Sequence, residues 1–384
     1  MAGAAQMAAP MAAGGAAERD DPLDWLRLIR SRRVGAVTFH RLVAEHGSAR
    51  AALAALPEIA RAAGVEDYAV CPVEVAQAEL RSGRAFGAQL LLWGGPDYPA
   101  ALMDLPDAPP VLWARGQTAL LARPMVAMVG ARNASSLGLR MARRLAEGLG
   151  QGGQVVVSGL ARGIDTAAHE AALASGTVAV MAGGVDVTYP EENADLARSI
   201  AATGCLVSEQ PMGCVPQTRH FPLRNRIISG LSRAVVVVEA AARSGSLITA
   251  RDAADQGREV MAVPGHPFDA RAAGCNMLLR DGATLVRHAG DVAEALGLSA
   301  PNLPETAQPE TGILPGPTAP RRPLGDIAAV HGQILARLGP SPLAEDQLIR
   351  DLALPPSVLT PALVSLELEG RITRAPGGLL SRAD

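Results

Sequence analysis

MVAMVGARNASSLGLRMARRLAEGLG, residues 125–150, decides the fold. Met125–Gly130 is apolar without alternation, the signature of a strand buried on both faces. Gly130 then opens a turn, Ser135 or Ser136 is placed to cap a helix, and Gly138–Gly150 has helical apolar spacing. Strand, glycine turn and helix make the first βα unit of a dinucleotide-type fold. The turn is not G-x-G-x-x-G, because Arg132 stands where a small residue would let a pyrophosphate approach. Arg132 serves either as a charge-assisted anion donor beside the helix N-terminus or as a surface arginine on an ordinary turn.

Working outward, the same pattern repeats. Apolar runs recur at Val155–Ser158, Val178–Met181, Leu206–Ser208, Ala234–Val238, Val260–Val263 and Thr284–Val286. Helical stretches lie between them, among them Asp165–Ala174, Asn193–Ala202 and Ser246–Gly257. Short Val-rich strands alternating with helices predict an α/β domain with a doubly wound parallel sheet of seven strands over residues 123–298. Residues 21–85 read as a small helical domain stopped at Gly47 and Gly64, and residues 86–122 as a Pro-containing connector. Residues 299–325 are a Pro-rich linker. Residues 326–384 give three short helices, Asp326–Leu338, Leu343–Leu352 and Pro356–Gly370, and then a β ribbon around Pro-Gly-Gly. That order is the order of a winged helix.

The 384 residues carry a formal charge of −3, so a wholly basic nucleic-acid surface is excluded and any such binding needs a local pocket. All 35 basic residues are arginine, which excludes a phosphate-binding loop ending in Gly-Lys-Ser/Thr and a Schiff-base lysine. Four cysteines without metal-ligand spacing predict reduced thiols in a cytoplasm. The first 17 residues hold no positive charge and read as a disordered tail within residues 1–20 rather than a signal peptide. No apolar run reaches the roughly 20 residues that span a membrane.

One segment departs from the mixed charge elsewhere. Gln210–Val238 contains Arg219, Arg224, Arg226 and Arg233, with His220 and Phe221, and no acid. Arg224, Asn225 and Arg226 fall where a loop is expected to become a helix. Forked guanidinium donors there suit phosphate, and Phe221 can stack on a base.

Other loops at the carboxyl ends of strands are individually ordinary. Gly159 begins a turn leading to Asp165 and His169, which share a helix face and form either an acid/base pair or a helix-starting Asp beside a satisfied His. Gly183 and Gly184 make either a ligand approach or a plain turn. Ser244, Gly245 and Ser246 offer N–H groups and hydroxyls to an anion, or Ser246 merely caps a helix. Gly265 and Asn276 belong to the next unit. Together these loops fall on the edge where open α/β sheets bind ligands.

VGARNASSLG, VVSGLARGIDTAAHEAAL, GGVDVTYPEEN, SEQPMG, HFPLRNRIISGLSRAVVVVEA, RSGSLITA, VPG and GCNMLLRDGA occur in order, and from about Tyr98 to Leu296 the chain resembles the DNA-processing protein A family, DprA or Smf. The resemblance implies an extended Rossmann-like domain that binds single-stranded DNA without catalysis or cofactor. It implies a homodimer that covers incoming strands in natural transformation and loads RecA for recombination. The family's Gly-Ser-Arg loop falls on Gly130, Ala131 and Arg132, with Ala in place of Ser. Its Phe-Pro-x-Arg-Asn-Arg segment falls on Phe221, Pro222, Arg224, Asn225 and Arg226. The amino-terminal region is similar to a helix-hairpin-helix or a sterile-alpha-motif-like module. The third carboxyl-terminal helix carries Glu367 and Glu369, a poor composition for a phosphate-lined groove. Two rival readings are a Rossmann-like nucleotide phosphoribohydrolase using Glu239 and a winged-helix transcription regulator.

Overall fold

The computed structural model describes residues 21–298, 327–339, 341–375 and 378–383. The tail read at 1–20 and the linker read at 299–325 lie outside the described residues. The amino-terminal domain is four helices, α1 (Pro22–Arg30), α2 (Ala36–His46), α3 (Ala49–Ala62) and α4 (Val73–Ala85). Asp21 and Ser48 cap α1 and α3 with their side chains. Gly47 ends α2 in the left-handed region, and Gly64 follows α3 at φ +77°, as the two glycine stops require.

The predicted connector is corrected. Residues 86–122 do not merely bridge two domains: β1 (Gln89–Leu92), α5 (Ala100–Met103) and β2 (Val111–Gly116) belong to the central domain. β2 pairs antiparallel with β1 and with β6, Trp113 lying opposite Ser208. Four prolines between Tyr98 and Gly116 hid these strands, because prolines tolerated around an edge hairpin read as loop.

The seven predicted strands are all present. They are β3 (Met125–Val129), β4 (Val155–Ser158), β5 (Thr177–Val180), β6 (Cys205–Ser208), β7 (Ala234–Val237), β8 (Glu259–Ala262) and β9 (Thr284–Leu285). Between them run α6 (Ser136–Gln151), α7 (Ile164–Ala172), α8 (Ala194–Thr203), α9 (His220–Leu231), α10 (Ser246–Asp255) and α11 (Ala273–Arg280), and α12 (Ala289–Ala295) closes the domain. The sheet has nine strands in the order β1-β2-β6-β5-β4-β3-β7-β8-β9, parallel from β6 to β9. Strand residues alternate between two cores. Met125, Ala127 and Val129 face one core with Ile227 and Ile228 of α9, while Val126 and Met128 face the other with Leu145 of α6. Burial on both faces explains the unbroken apolar runs.

The amino-terminal domain is keyed to the sheet by a buried polar chain. Arg30 forks onto Glu79 at 3.0 and 2.9 Å, Glu79 accepts from Trp113 Nε1 at 2.8 Å, and Arg30 Nη1 donates to the Glu209 carbonyl at 3.2 Å.

The carboxyl-terminal domain is α13 (Ile327–Arg337), β10 (Leu343–Ala344), α14 (Glu345–Leu352), α15 (Pro356–Leu368), β11 (Ile372–Ala375) and β12 (Leu379–Arg382). The helix expected from Leu343 starts at Glu345, because Leu343 and Ala344 pair with β12 as a third strand. The winged-helix order is otherwise as read.

Gly83 on α4 lies against the Trp113 ring, and a Cβ there would sit 2.2 Å from a ring carbon. Gly83→Ala is expected to cost roughly 1–3 kcal/mol through overpacking. Urea unfolding measures this, and an unchanged midpoint would count against the Trp113 seat.

Candidate nucleic-acid interface

A cleft opens at the carboxyl ends of β3 to β6. Arg132, Gly159, Arg162, Gly183, Tyr189, Phe221 and Arg224 are among its lining residues. The strand order reverses beside β3, so this is the switch-point edge of the sheet.

Arg224 forms part of the floor. It lies on α9, not at the loop-to-helix boundary, because the helix already begins at His220. Its side chain is only 6% exposed. The guanidinium rests on the Gly159 backbone so closely that a Cβ at 159 would sit 1.2 Å from Nη1. Buried Nε and Nη1 have no hydrogen-bond partner. Burial lowers its pKa to about 10, against the raising effect of the Asp165 carboxylate, so the group remains a cation at neutral pH. Asp165 is itself pushed upward by burial and held down by Arg224 and by backbone N–H groups.

The turn after β4 is fixed by α7 beneath it. Asp165 accepts from the N–H groups of Gly159 and Ala161, at 3.0 and 3.3 Å. His169 Nε2 accepts from Leu160 N–H at 3.3 Å, so the ring proton sits on Nδ1, 2.7 Å from Thr177 Oγ1. Asn193 Nδ2 donates to the Leu160 carbonyl at 2.9 Å. Leu160 is fully buried at φ +56°, a left-handed conformation that costs a non-glycine residue energy and is held here from both sides. Asp165 and His169 are therefore braces of one turn. His169 fits the satisfied-histidine alternative, with burial pushing its pKa down to about 3.

The rim carries the aromatic groups. Phe221 meets Tyr189 with ring centroids 5.8 Å apart, and the Arg132 guanidinium carbon lies 5.2 Å from the Phe221 centroid. Tyr189 is 53% exposed and presents a second ring face beside Phe221, which no charge pattern in its own loop marks in the sequence. Arg162 pairs with Glu192 at the same mouth. α9 starts without a side-chain cap and with no acid in its first turn, which leaves its positive end toward anions.

Two positions where nucleotide folds offer backbone N–H groups to phosphate are filled by the chain's own carboxylates. Asp165 occupies the turn after β4. Glu239 occupies the start of α6, accepting from Ser135 N–H at 2.9 Å and from the Ser135 hydroxyl. Ser135, rather than Ser136, caps α6. Glu239 also takes the Ala131 N–H on its carbonyl at 2.6 Å.

Several residues read as one site separate in space. Arg226 turns away from the cleft: its Nη2 donates to Glu209 at 2.5 Å and its Nε lies 3.4 Å from Asp107. The acid-free segment draws its counter-charges from outside itself. Asn225 follows on α9, and Arg219 is exposed just before that helix; neither lines the cleft. Ser244, Gly245 and Ser246 lie after β7, and Gly265 and Asn276 after β8, on the other half of the edge. Ser246 is the first residue of α10 and does not cap it; its N–H donates to Ser244 Oγ at 3.4 Å. Asn276 clamps Gly265 by two hydrogen bonds, at 3.2 and 3.1 Å.

Residues 89–297 match the model of the DNA recombination-mediator protein A family, residues 19–82 a DprA-like N-terminal HHH domain, and residues 316–378 a DprA winged helix domain. The chain belongs to the DprA/Smf family. Protein Smf of Escherichia coli is 39% identical over 284 residues, 73% of this chain and 74% of that one. DNA processing protein DprA of Streptococcus pneumoniae is 46% identical over 197 residues, 51% of this chain and 70% of that one. The X-ray structure of the S. pneumoniae DprA aligns with TM-score 0.55 and 40% identity, over 58% of this chain and 77% of that one. A Helicobacter pylori DprA, solved to describe its single-stranded DNA binding mode, aligns with TM-score 0.51 and 30% identity, over 54% of this chain and 95% of that one. The match to the HHH domain decides between the two modules expected at the amino terminus. Among the described residues no helix is long and apolar enough to cross a membrane.

Because His169 is neutral when folded and gains a proton when unfolded, it makes stability rise with pH between about 3 and its ordinary value of 6.5. His169→Gln should remove up to about 1.4 kcal/mol of that loss per pH unit. Urea unfolding at several pH values between those limits measures it; equal acid sensitivity in both proteins would overturn the assignment.

Proposed function

We propose that the protein binds single-stranded DNA in this cleft, without catalysis and with little sequence dependence. It acts in DNA processing during natural transformation, covering incoming strands and delivering them to the RecA recombinase. It works in the cytoplasm as a homodimer and uses no cofactor. The carrying observation is the gathering of Arg132, Arg224, Phe221 and Tyr189 in one cleft, where the backbone anion cradles are already filled by Asp165 and Glu239.

The chemistry follows from that division. A mononucleotide's terminal phosphate would need the cradles that the carboxylates close. A strand needs instead guanidinium groups for its phosphates and ring faces for its bases, and stacking contributes about 1–3 kcal/mol per base. Glu239, the residue a phosphoribohydrolase reading requires, spends both carboxylate oxygens on Ser135. The relatives' names and the H. pylori structure support DNA as the ligand class. The winged helix supports no duplex-reading role, since Glu367 and Glu369 dominate the end of its third helix.

Competition among oligo-dT, blunt duplex and mononucleotide tests the reading. Oligo-dT should win by a wide margin, and equal affinity for duplex at the same salt would sink it. Arg132→Ala should weaken oligo-dT binding and reduce the salt slope by about 0.7, the share of one phosphate contact on a single strand. Unchanged affinity and slope in a folded Arg132→Ala protein would place the DNA elsewhere. Gly159→Ala tests the floor, because its methyl displaces the Arg224 guanidinium without removing it. Affinity should fall, and native affinity in the folded variant would exclude Arg224 from the contact.

A further inference from the structure

The winged-helix domain is fastened to the DNA-facing edge by two arginines. Arg271, in the loop between β8 and α11, forks onto the end of α13: Nη1 donates to the Ala336 carbonyl at 2.6 Å and Nη2 to the Leu338 carbonyl at 2.9 Å. Carbonyls at a helix end lack intrahelical partners and carry the negative end of the dipole, so a forked cation suits them. Asp269 pre-orients the fork, accepting from Arg271 N–H at 3.0 Å and from Nε at 3.1 Å. Gly339 lies close over the pair, with room for a Cβ only 3.0 Å from Asp269 Oδ2. From the other side, Arg337 Nη1 donates to the Ala134 carbonyl at 2.8 Å. Ala134 stands two residues after Arg132 and directly before the α6 cap.

The two anchors lie in the loops after β3 and β8, and β7 runs between those strands. The domain is thus clasped across the half of the edge that adjoins the cleft. Resting on the single-strand reading above, we propose that this two-arginine clasp is a closed state that DNA opens. A strand leaving the cleft past Arg132 crosses the ends of β3, β7 and β8 and needs the ground the winged helix covers. Short DNA that fills only the cleft leaves the clasp shut, whereas long DNA releases the winged helix, which becomes free for a protein partner.

The test uses the full chain, the Arg271→Ala/Arg337→Ala variant and the Arg337→Ala variant, the last keeping the Asp269–Arg271 pair intact. Oligo-dT of about 6 and of about 30 nucleotides brackets a typical single-strand footprint. Hydrogen exchange is followed at the end of α13 and in residues 131–136. In the native protein the long oligonucleotide should raise exchange at the end of α13, and the short one should not. Both variants should show that rise without DNA. They should bind the long oligonucleotide about three- to tenfold more tightly, by removing the closed population, and the short one unchanged. Release absent when the native protein holds the long oligonucleotide, or variant affinity equal to or below native, overturns the clasp alone. Failure of the native protein to bind either oligonucleotide overturns the single-strand reading as well, so the two failures are distinguishable.

Discussion

A buried cation pressed onto a glycine backbone organises the cleft. Arg224 can lie where it does only because Gly159 has no side chain, and it can stay charged there because the Asp165 carboxylate shares its burial. Asp165 in turn ties the turn after β4, while His169 and Asn193 hold Leu160 in its left-handed conformation. α7, α9 and the β4 turn therefore form one unit. An isolated buried charge would cost several kcal/mol, so removing any member leaves the others uncompensated. The cleft floor is accordingly set before a ligand arrives.

The same economy governs the anion sites of the fold. Glu209 and Glu239 stand immediately before and after the acid-free segment, and neither is idle. Glu209 pairs with Arg226 and helps anchor α9 near the amino-terminal domain; Glu239 closes the start of α6. On the proposed reading, a scaffold suited to nucleotide phosphates turns from backbone recognition to side-chain recognition. Arginine forks and ring faces repeat along a polymer in a way that a single phosphate cradle does not.

The parallel strands, the helices between them and the winged helix were legible in the sequence because each is written in local periodicity and glycine stops. The hairpin of β1 and β2 was not, since prolines around it masked strands of four and six residues, and β2 joins the main sheet through β6, far along the chain. Phe221 and Arg224 were legible as candidate residues through the charge pattern of the acid-free segment and Arg132 through the turn after its strand, and the structure brings all three to one cleft. Arg226 was misplaced because that pattern shows which charges a segment carries, not which way a helix turns them. Arg224 and Arg226 are two positions apart with Asn225 between them, and that puts them on different faces of the helix. The contacts of Arg271 and Arg337 with carbonyls left no trace in the sequence, because any residue supplies a carbonyl.

Among the described residues the rim offers two rings, Phe221 and Tyr189. On the proposed reading, each copy of the protein would hold a long strand at one short station, and firm retention would come from many copies along it. Avidity of that kind is strong in sum and weak in each part, since every station can open while its neighbours keep the strand near. A coat built this way would yield to a second filament piece by piece, from one end, without ever letting the whole strand go.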